Sequence, residues 1–400
     1  MFGASKWRLP RNYYDSKSSV RKIVMANPSI LFVGDTLLDT SDDSNPLEHV
    51  GNVWNQHDLI VLNLETPVVE ECSGQKMRAV NFRITPSALK WLAPFKDKLV
   101  VALANNHILD CGTSGYEETL EHLRYAEISS VPLDRPFSTT VCGLVIKIFA
   151  LYKGINNEFQ RSFFERSLSA GGVFSRDEFP IAFCHWGDEY VILPNPRIVD
   201  MVGRLHKMGF RAIVGHHSHS AQGVSVHADG CITAYSLGNF NFLRWDDHER
   251  ESLLRRLGYM LALEAGTRPL VWKRYPCVID HFLRPVPIDL EFVEQYFLDI
   301  DRILCQYVSR SNPMRFLIYL KHSSRQVMKS NLLLGWLPRI RKGGIRQCWL
   351  MLKWLAYPHN IGRLPFAVFR TDWAWMRYLQ LVKEWFAYVR SDPSIREKIG

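Results

Sequence analysis

The 400-residue sequence has no long apolar run and no closely paired cysteines. Its longest apolar stretches, such as 30–33 and 141–151, are shorter or more interrupted than the roughly 20 residues that a membrane span needs. The basic first 26 residues include no apolar stretch typical of a secretory signal. Eight scattered cysteines without a C-x-x-C pair favour reduced thiols over a disulfide framework or a cysteine zinc site. These absences predict a cytoplasmic protein, soluble or peripheral at the inner membrane.

Charge and tryptophan are unevenly distributed along the chain. Residues 301–400 contain 18 Lys and Arg against 5 Asp and Glu, and they hold six of the 12 tryptophans. We therefore expect a basic arm over 1–28, an α/β domain over 29–286 and a basic, tryptophan-rich helical region over 287–400. Apolar side chains recur at helical spacing near the end: Trp375, Leu379, Val382, Phe386 and Val389.

The basic C-terminal region has two interpretations. Residues 289–400 could contact an anionic membrane, because tryptophan prefers the membrane interface and Lys and Arg attract anionic headgroups. Alternatively, the region packs on the preceding domain as a helical cap. Nucleic acid is not an expected partner, since the region has no recognition motif.

Short apolar runs alternate with helix-like segments and predict a layered α/β fold. The runs that predict strands are 29–33, 59–62, 99–104, 144–151, 181–184, 212–214 and 232–235. The helix-like segments are 86–92, 116–125 and 197–208.

Five of the predicted strands lead into side chains that can bind metals. These side chains include Asp35, Asn63, Glu65, Asn106, His107, His185, Glu189, His217 and His219. Reactive groups collect at the carboxyl ends of strands in open α/β sheets. Carboxylates, carboxamides and imidazoles suit Mn, Fe, Zn or Mg. Two such ions about 3.5–4 Å apart can activate water and clamp a phosphoryl group. The sequence has neither a G-x-S-x-G elbow nor a P-loop, which further favours metal-dependent phosphoester hydrolysis.

Six blocks of sequence occur in the order typical of one family. They are Gly34-Asp35, Asn63-Leu64-Glu65-Thr66-Pro67, Ala104-Asn105-Asn106-His107 with Asp110 and Gly112, His185-Trp186-Gly187-Asp188-Glu189-Tyr190, Gly215-His216-His217-Ser218-His219, and Tyr235-Ser236-Leu237-Gly238-Asn239-Phe240. Over roughly residues 29–245 they resemble the bacterial CapA-type capsule-synthesis (PGA_cap) family, which is similar to the calcineurin-like metallophosphoesterases. The resemblance implies a sandwich of two β-sheets flanked by helices, followed here by the helical C-terminal region.

The resemblance also implies a role for individual residues. The implied ligands of two divalent metal ions are Asp35, Glu65, Asn106, His185, His217 and His219. Among them, Glu65 stands where the superfamily has its bridging carboxylate. His107 would act as general acid, with metal-activated water as the nucleophile. Residues expected to support the ligands are Asn63, Asp110, Glu189, Tyr190, Ser236 and Asn239. His216 is expected to be structural or to face solvent, because alternate residues of a strand point to opposite faces.

One departure keeps other functions open. The wider superfamily begins with Asp-x-His, whereas Thr36 and Leu37 follow Asp35, so the first metal site could be one ligand short. The leading hypothesis is a hydrolase of capsule, poly-γ-glutamate or exopolysaccharide biosynthesis that acts on a phosphorylated or polymeric substrate. The alternatives are a non-catalytic assembly protein of the exopolymer-synthesis machinery and a metal-dependent amidase acting on a γ-glutamyl or peptide bond.

Overall fold

The computed structural model describes residues 27–40, 44–72, 82–152, 174–175, 177–242, 253–327 and 373–391. In chain order the strands are β1 (Ser29–Thr36), β2 (Leu59–Leu64), β3 (Leu99–Ala102), β4 (Ser129–Val131), β5 (Phe137–Val141), β6 (Leu144–Tyr152), β7 (Glu178–His185), β8 (Ala212–His216), β9 (Val224–Val226), β10 (Ile232–Ala234), β11 (Asn239–Asn241), β12 (Leu257–Glu264), β13 (Val271–Ile279) and β14 (Pro285–Pro287).

Helices lie between and after these strands. The α-helices are α1 (Gly51–Trp54), α2 (Gly112–Tyr125), α3 (Pro196–Lys207), α4 (Leu253–Arg256), α5 (Glu291–Val308), α6 (Asn312–Val327) and α7 (Trp373–Ser391). Two 3₁₀ helices, Pro86–Trp91 and Ala93–Lys98, precede β3.

The strands form two sheets whose central strands are parallel. One sheet has the order β14-β13-β12-β1-β2-β3-β4 with β11 beside β1, and the other has the order β5-β6-β7-β8-β10-β9. The strands β1 to β4 pair in parallel, as do β6, β7, β8 and β10. Parallel strands present their carboxyl ends at one edge of a sheet, which is where ligand sites of α/β folds gather.

Apolar side chains pack between the sheets and on their outer faces. Between the sheets, the rings of Phe32 and Phe183 lie 6.0 Å apart. Trp54 of α1 packs on the outer face of the first sheet, and Leu205 of α3 packs on that of the second. Burial of this kind contributes about 25 cal/mol per Å² of apolar surface. The arrangement confirms the predicted sandwich of two sheets flanked by helices.

All seven predicted strands are present, but their ends differ from the expected ones. The strands β1, β7 and β8 extend beyond the apolar runs that predicted them. Asp35, His185 and His216 therefore lie inside strands instead of after them. The segment 86–92, expected to be helical, forms the first 3₁₀ helix, which ends at Trp91. The strands β4 and β11, with three residues each, are too short to show an alternating pattern and were not predicted.

The C-terminal region is helical where the structure describes it. Helix α7 packs against α5 through Tyr378 and Leu381, and Trp385 contacts Val278. The predicted apolar stripe is therefore partly wrong, since Phe386 is 53% exposed. The sequence offers two overlapping stripes at helical spacing, and packing against α5 selects the one that contains Trp385.

The remaining predictions for residues 287–400 are untested. Trp336, Trp349 and Trp354 lie outside the described residues, and so do the side chains of Trp375 and Leu379. Within the described ranges, no helix has the length and apolarity to cross a membrane. The domain limits 1–28, 29–286 and 287–400 and the contact of 289–400 with an anionic membrane remain predictions.

Two cysteines form a disulfide, which corrects the expectation of eight reduced thiols. Cys72 and Cys111 are bonded across 39 residues, with their Cα atoms 5.1 Å apart. The free cysteines among the described residues are Cys142, Cys184, Cys231, Cys277 and Cys305. The pairing was hidden from sequence analysis because the two positions are distant in the chain and meet only in the fold. Disulfides are typical of oxidising compartments and are rare in the cytoplasm. The cytoplasmic location therefore stays a prediction.

Replacing Cys72 with serine is expected to lower the free energy of unfolding by about 2–4 kcal/mol, because the disulfide restricts the unfolded chain. Denaturant unfolding without reductant measures this change, and Cys142→Ser, at an exposed free cysteine, is the matched control. Thiol titration of the denatured, unreduced wild type should find two thiols fewer than the eight in the sequence. Eight free thiols would show that the bond does not form.

Candidate metal centre

Polar side chains from both sheets meet at the carboxyl ends of the parallel strands. Asp35 lies on β1, Asn63 on β2 and His185 on β7, and Glu65 directly follows β2. Loops after β3, β7, β8 and β10 contribute most of the other predicted site residues, and Asn239 begins β11. The structure therefore brings together residues that are far apart in sequence, as the strand-end pattern predicts.

Asp35 and Glu65 are fully buried carboxylates that share one amide. Asn63 Nδ2 donates to Asp35 Oδ1 at 2.9 Å and to Glu65 Oε2 at 3.4 Å. Both carboxylates have 0% exposure. Burying two neighbouring carboxylates without a cation is costly, because neither charge is solvated and the two repel. The pair is therefore suited to a site that binds positive charge.

His185, which lies in the second sheet, contacts three other residues of the site. Its Nε2 lies 2.7 Å from Asn106 Oδ1 and 3.5 Å from Glu65 Oε1. Its Nδ1 lies 2.8 Å from Nδ1 of His216. The side chain of His185 is completely buried. Contacts from His185 thus connect the second sheet to Glu65 and Asn106 of the first.

His217 and His219 occupy a loop of unusual backbone conformation. Their φ angles are 87° and 51°, values in the left-handed region that non-glycine residues rarely adopt. The His217 amide donates to both oxygens of Asp35, at 3.2 and 3.0 Å. Strained backbone of this kind clusters at functional sites. Here it lets His216, His217 and His219 all face the buried carboxylates.

Three of the six predicted supporting residues hold this loop. Ser218 Oγ donates to Ser236 Oγ at 2.9 Å, and the Tyr190 amide donates to the Ser218 carbonyl at 2.6 Å. Asn239 Oδ1 lies 2.8 Å from His219 Nδ1. Ser236, Tyr190 and Asn239 therefore act on the position of the histidine loop.

His107 is oriented by Asp110, one of the residues expected to support the ligands. Its Nδ1 lies 2.7 Å from Asp110 Oδ2, and its ring contacts the edge of Phe82 at 4.5 Å. The Phe82 amide donates to the same Asp110 oxygen at 2.8 Å. With Nδ1 directed at a carboxylate, Nε2 is the nitrogen left for a substrate. This arrangement matches what a general acid needs.

Four groups of side chains in the described part of the chain could hold a cation, each with ligand atoms within 4.8 Å of one another. The groups are Asp35–Glu65–His219, Glu65–His185–His217, Asp35–His185–His216 and Glu189–His217–His219. Glu65 belongs to the first two groups, as a bridging carboxylate would. Glu189, predicted to support the ligands, lies exposed beside His217 and His219 and could itself be a ligand.

Two unpartnered atoms show that the donor set fits a cation. Glu65 Oε1 and His217 Nδ1 are buried without a hydrogen-bond partner. A buried polar atom left unpaired costs about 1–3 kcal/mol. Carboxylate oxygen and imidazole nitrogen are also the donors that Zn, Mn and Fe accept. The residues present therefore fit divalent metal ions.

The surroundings set the charge of each donor. Burial raises the pKa of Glu65 well above its ordinary range, and the charge of Asp35 raises it further. Burial also opposes ionisation of Asp35, but hydrogen bonds to His216 and His219 outweigh it and lower the pKa of Asp35. Burial lowers the pKa of His217 to about 4, so this ring is neutral at pH 7 and free to bind metal.

Metal affinity is expected to fall as the pH falls. Burial alone would lower the pKa of His219, but its contact with Asp35 raises it above 6.5. The pKa of Glu65 is also raised, so the metal-free site holds protons that a cation must displace. Affinity should therefore decrease as the pH falls towards and below 6.5. Calorimetric titration with Mn²⁺ in two buffers of different ionisation heat measures the released protons, and binding without proton release would contradict this account.

Sequence reasoning misplaced His216 and assigned Asn105 no role. His216 is 1% exposed and lies 3.3 Å from Asp35, so the expectation that its side chain points away from the site or faces solvent is wrong. Asn105 bonds to Asn63 Oδ1 at 3.1 Å and caps the amides of His107 and Ile108. The signal for Asn105 was its place beside Asn106 at a strand end.

The residues of the site lie in the part of the chain that matches a protein-family model. Residues 29–139 and 172–243 match the model for bacterial capsule synthesis protein PGA_cap. Capsule biosynthesis protein CapA of Bacillus anthracis is 25% identical over 224 residues, which cover 48% of this chain and 53% of that protein. PGA biosynthesis protein CapA of Bacillus subtilis (strain 168) is 24% identical over 258 residues, covering 56% and 66%. The chain spans about half to two thirds of the length of these relatives.

Solved structures offer more distant likenesses. A hypothetical protein from Thermus thermophilus aligns with a TM-score of 0.39 and 14% identity, over 62% of this chain and 98% of that one. A 5'-nucleotidase precursor from the same organism aligns with a TM-score of 0.37 and 13% identity, over 63% and 54%. These likenesses are too distant to say anything about activity.

Proposed function

We propose, from the match of residues 29–139 and 172–243 to the model for bacterial capsule synthesis protein PGA_cap, that the chain is a metal-dependent hydrolase of capsule or exopolymer biosynthesis. The names of both Bacillus relatives support the pathway. The preferred reaction is hydrolysis of a phosphoester in a phosphorylated or polymeric substrate.

The observation that carries the proposal is the pair of buried carboxylates with an unpartnered oxygen. Asp35, Glu65 and His219 would hold one cation, while Glu65, His185 and His217 would hold a second. Asn106 Oδ1 faces the same nitrogen of His185 as Glu65 does, which supports it as a further ligand of the second cation. Cations there would polarise a phosphoryl oxygen and lower the pKa of a water molecule in the site.

The chain's own residues supply the rest of the chemistry. Asp110 accepts from His107 Nδ1 and fixes the ring, so that Nε2 can hold a proton for the departing oxygen. Phe82 and Phe242 pack near His107 and limit access of water to that proton. The amide of His217 and the side chain of Asn63 keep Asp35 in place.

The missing histidine of the Asp-x-His motif favours a second candidate. Leu37 stands where the motif has its histidine and offers no ligand atom, and the hydroxyl of the preceding Thr36 donates to the Gly34 carbonyl at 3.0 Å. The first cation would then have three protein ligands, and weak occupancy there would suit a non-catalytic assembly protein. An amidase acting on a γ-glutamyl bond uses the same cations and is separated from a phosphoesterase only by substrate.

Activity assays distinguish these functions. Purified protein loaded with Mn²⁺ is expected to hydrolyse bis(p-nitrophenyl) phosphate, and the His217→Ala, His219→Ala double variant should not. Hydrolysis of a γ-glutamyl p-nitroanilide alone would instead support the amidase. A protein that binds Mn²⁺ but cleaves neither compound would contradict the phosphoesterase and favour the assembly role.

A further inference from the structure

His216 is a buried histidine that contacts one residue from each proposed cation group. Its Nδ1 lies 2.8 Å from His185 Nδ1 and 3.3 Å from Asp35 Oδ1. Its ring packs on that of Phe183, with centroids 4.5 Å apart. One nitrogen therefore faces both a carboxylate and a second imidazole, and the ring is 1% exposed, so water cannot take over either contact.

The contact between the two rings restricts where their protons lie. A neutral imidazole carries a proton on only one of its two nitrogens. The two rings are almost completely buried with centroids 4.9 Å apart, and two positive charges so close together would be unfavourable there, which favours the neutral forms. Two nitrogens 2.8 Å apart then need one donor and one acceptor. The proton between them belongs either to His185 or to His216.

The opposite nitrogen of His185 decides which of these states binds metal. Nε2 of His185 faces Asn106 Oδ1 and Glu65 Oε1, the side on which the second cation would lie. A ligand nitrogen must present a lone pair and not a proton. His185 can therefore bind through Nε2 only when its own proton is on Nδ1, the nitrogen that faces His216.

We propose that His216 is a positioning residue, which accepts the Nδ1 proton of His185 and so keeps Nε2 of His185 free for a cation. The inference rests on the proposed function, because it concerns the same metal site. Partners of this kind orient ligand histidines, and their loss typically costs about 10–100-fold in metal affinity.

Asp35 accounts for the state of the metal-free site. Without a cation, Asp35 Oδ1 attracts a proton to Nδ1 of His216, and the Asn106 oxygen attracts one to Nε2 of His185. Both rings then hold their protons on the nitrogens that metal binding needs vacant. Cation binding should switch the tautomer of both His185 and His216, and this switch is a signature that a merely structural histidine would not show.

Histidine ¹H–¹⁵N correlation spectra, with and without Zn²⁺, test the switch in the wild-type protein. We expect His185 to carry its proton on Nε2 without metal and on Nδ1 with Zn²⁺. A zinc-loaded protein in which His185 keeps its proton on Nε2 would overturn the inference.

Two variants measure the effect on affinity by calorimetric titration with Zn²⁺. His216→Asn keeps an acceptor near the Nδ1 position, whereas His216→Leu has similar size without one. The leucine variant should bind Zn²⁺ about 10–100-fold more weakly, and asparagine should restore much of the loss. Thermal unfolding of the metal-free variants is the control for folding. Wild-type affinity in the leucine variant would overturn this inference alone, whereas a wild type that binds no Zn²⁺ would overturn the proposed function.

Discussion

Replacing His107 with alanine is expected to lower phosphoester turnover about 10²–10⁴-fold, the usual contribution of general acid–base catalysis, while metal content stays unchanged. His107 Nδ1 is engaged by Asp110 at 2.7 Å. The residue belongs to none of the cation groups in the described ranges. Its loss should therefore remove a proton donor without removing a ligand.

Steady-state kinetics and metal analysis of the same sample measure both expectations. Asp110→Asn should also lower turnover, because the amide no longer favours the proton on Nδ1 of His107. His122→Ala is the matched control, since this histidine lies on α2 and contacts Glu118 at 3.3 Å. Turnover that survives in His107→Ala would show that the role assigned to His107 is wrong.

Replacing Glu65 with glutamine is expected to abolish stabilisation by metal without destabilising the metal-free protein. In the metal-free site, burial and the charge of Asp35 raise the pKa of Glu65, so its ionised form is unfavourable. Glutamine has the same shape without that charge. The wild type at 100 times the dissociation constant of Mn²⁺ should gain about 2.7 kcal/mol, which corresponds to a rise in Tm of about 5 °C for a domain of roughly 250 residues.

Thermal unfolding with and without Mn²⁺ measures this difference. The metal-free variant should melt at or above the wild-type temperature, and Mn²⁺ should leave its Tm nearly unchanged. Glu121→Gln, on the surface of α2, should respond to Mn²⁺ as the wild type does. A Glu65→Gln protein that is less stable without metal yet still stabilised by Mn²⁺ would exclude Glu65 as a bridging ligand.

The convergence of the site could be predicted from sequence because it follows from topology. Apolar runs mark the parallel strands, and the polar residues at their carboxyl ends must meet at one edge. Asp35, Glu65 and His185 follow this rule directly. The roles of the individual residues came from the resemblance to a family with the same order of sequence blocks. Neither spacing nor residue type could assign them.

The position of His216 beside Asp35 and His185 could not be predicted, because it depends on backbone angles and on strand register. Alternation along a strand places His216 opposite His217, but β8 ends at His216 and the loop that follows is left-handed. His216 is also in register with His185 of β7. Neighbouring residues in register face the same side, so the two rings meet. No feature of the amino-acid sequence indicates either the positive φ angles of the loop or the strand register.

Contacts between segments that are distant in the chain could not be predicted from the sequence either. The bond between Cys72 and Cys111 depends on how the segment after β2 meets α2. The buried face of α7 likewise depends on its packing against α5. In both cases the residue types were visible, but several pairings were compatible with them.

The central claim is that the buried carboxylates and histidines hold divalent metal, and elemental analysis of the purified protein tests it most directly. The account predicts close to two transition-metal ions per chain, largely lost in the His217→Ala, His219→Ala double variant. A single ion would indicate that the site around Asp35, without the motif histidine, does not fill. No metal, even after incubation with Mn²⁺ or Zn²⁺, would contradict the account and favour a non-catalytic assembly protein.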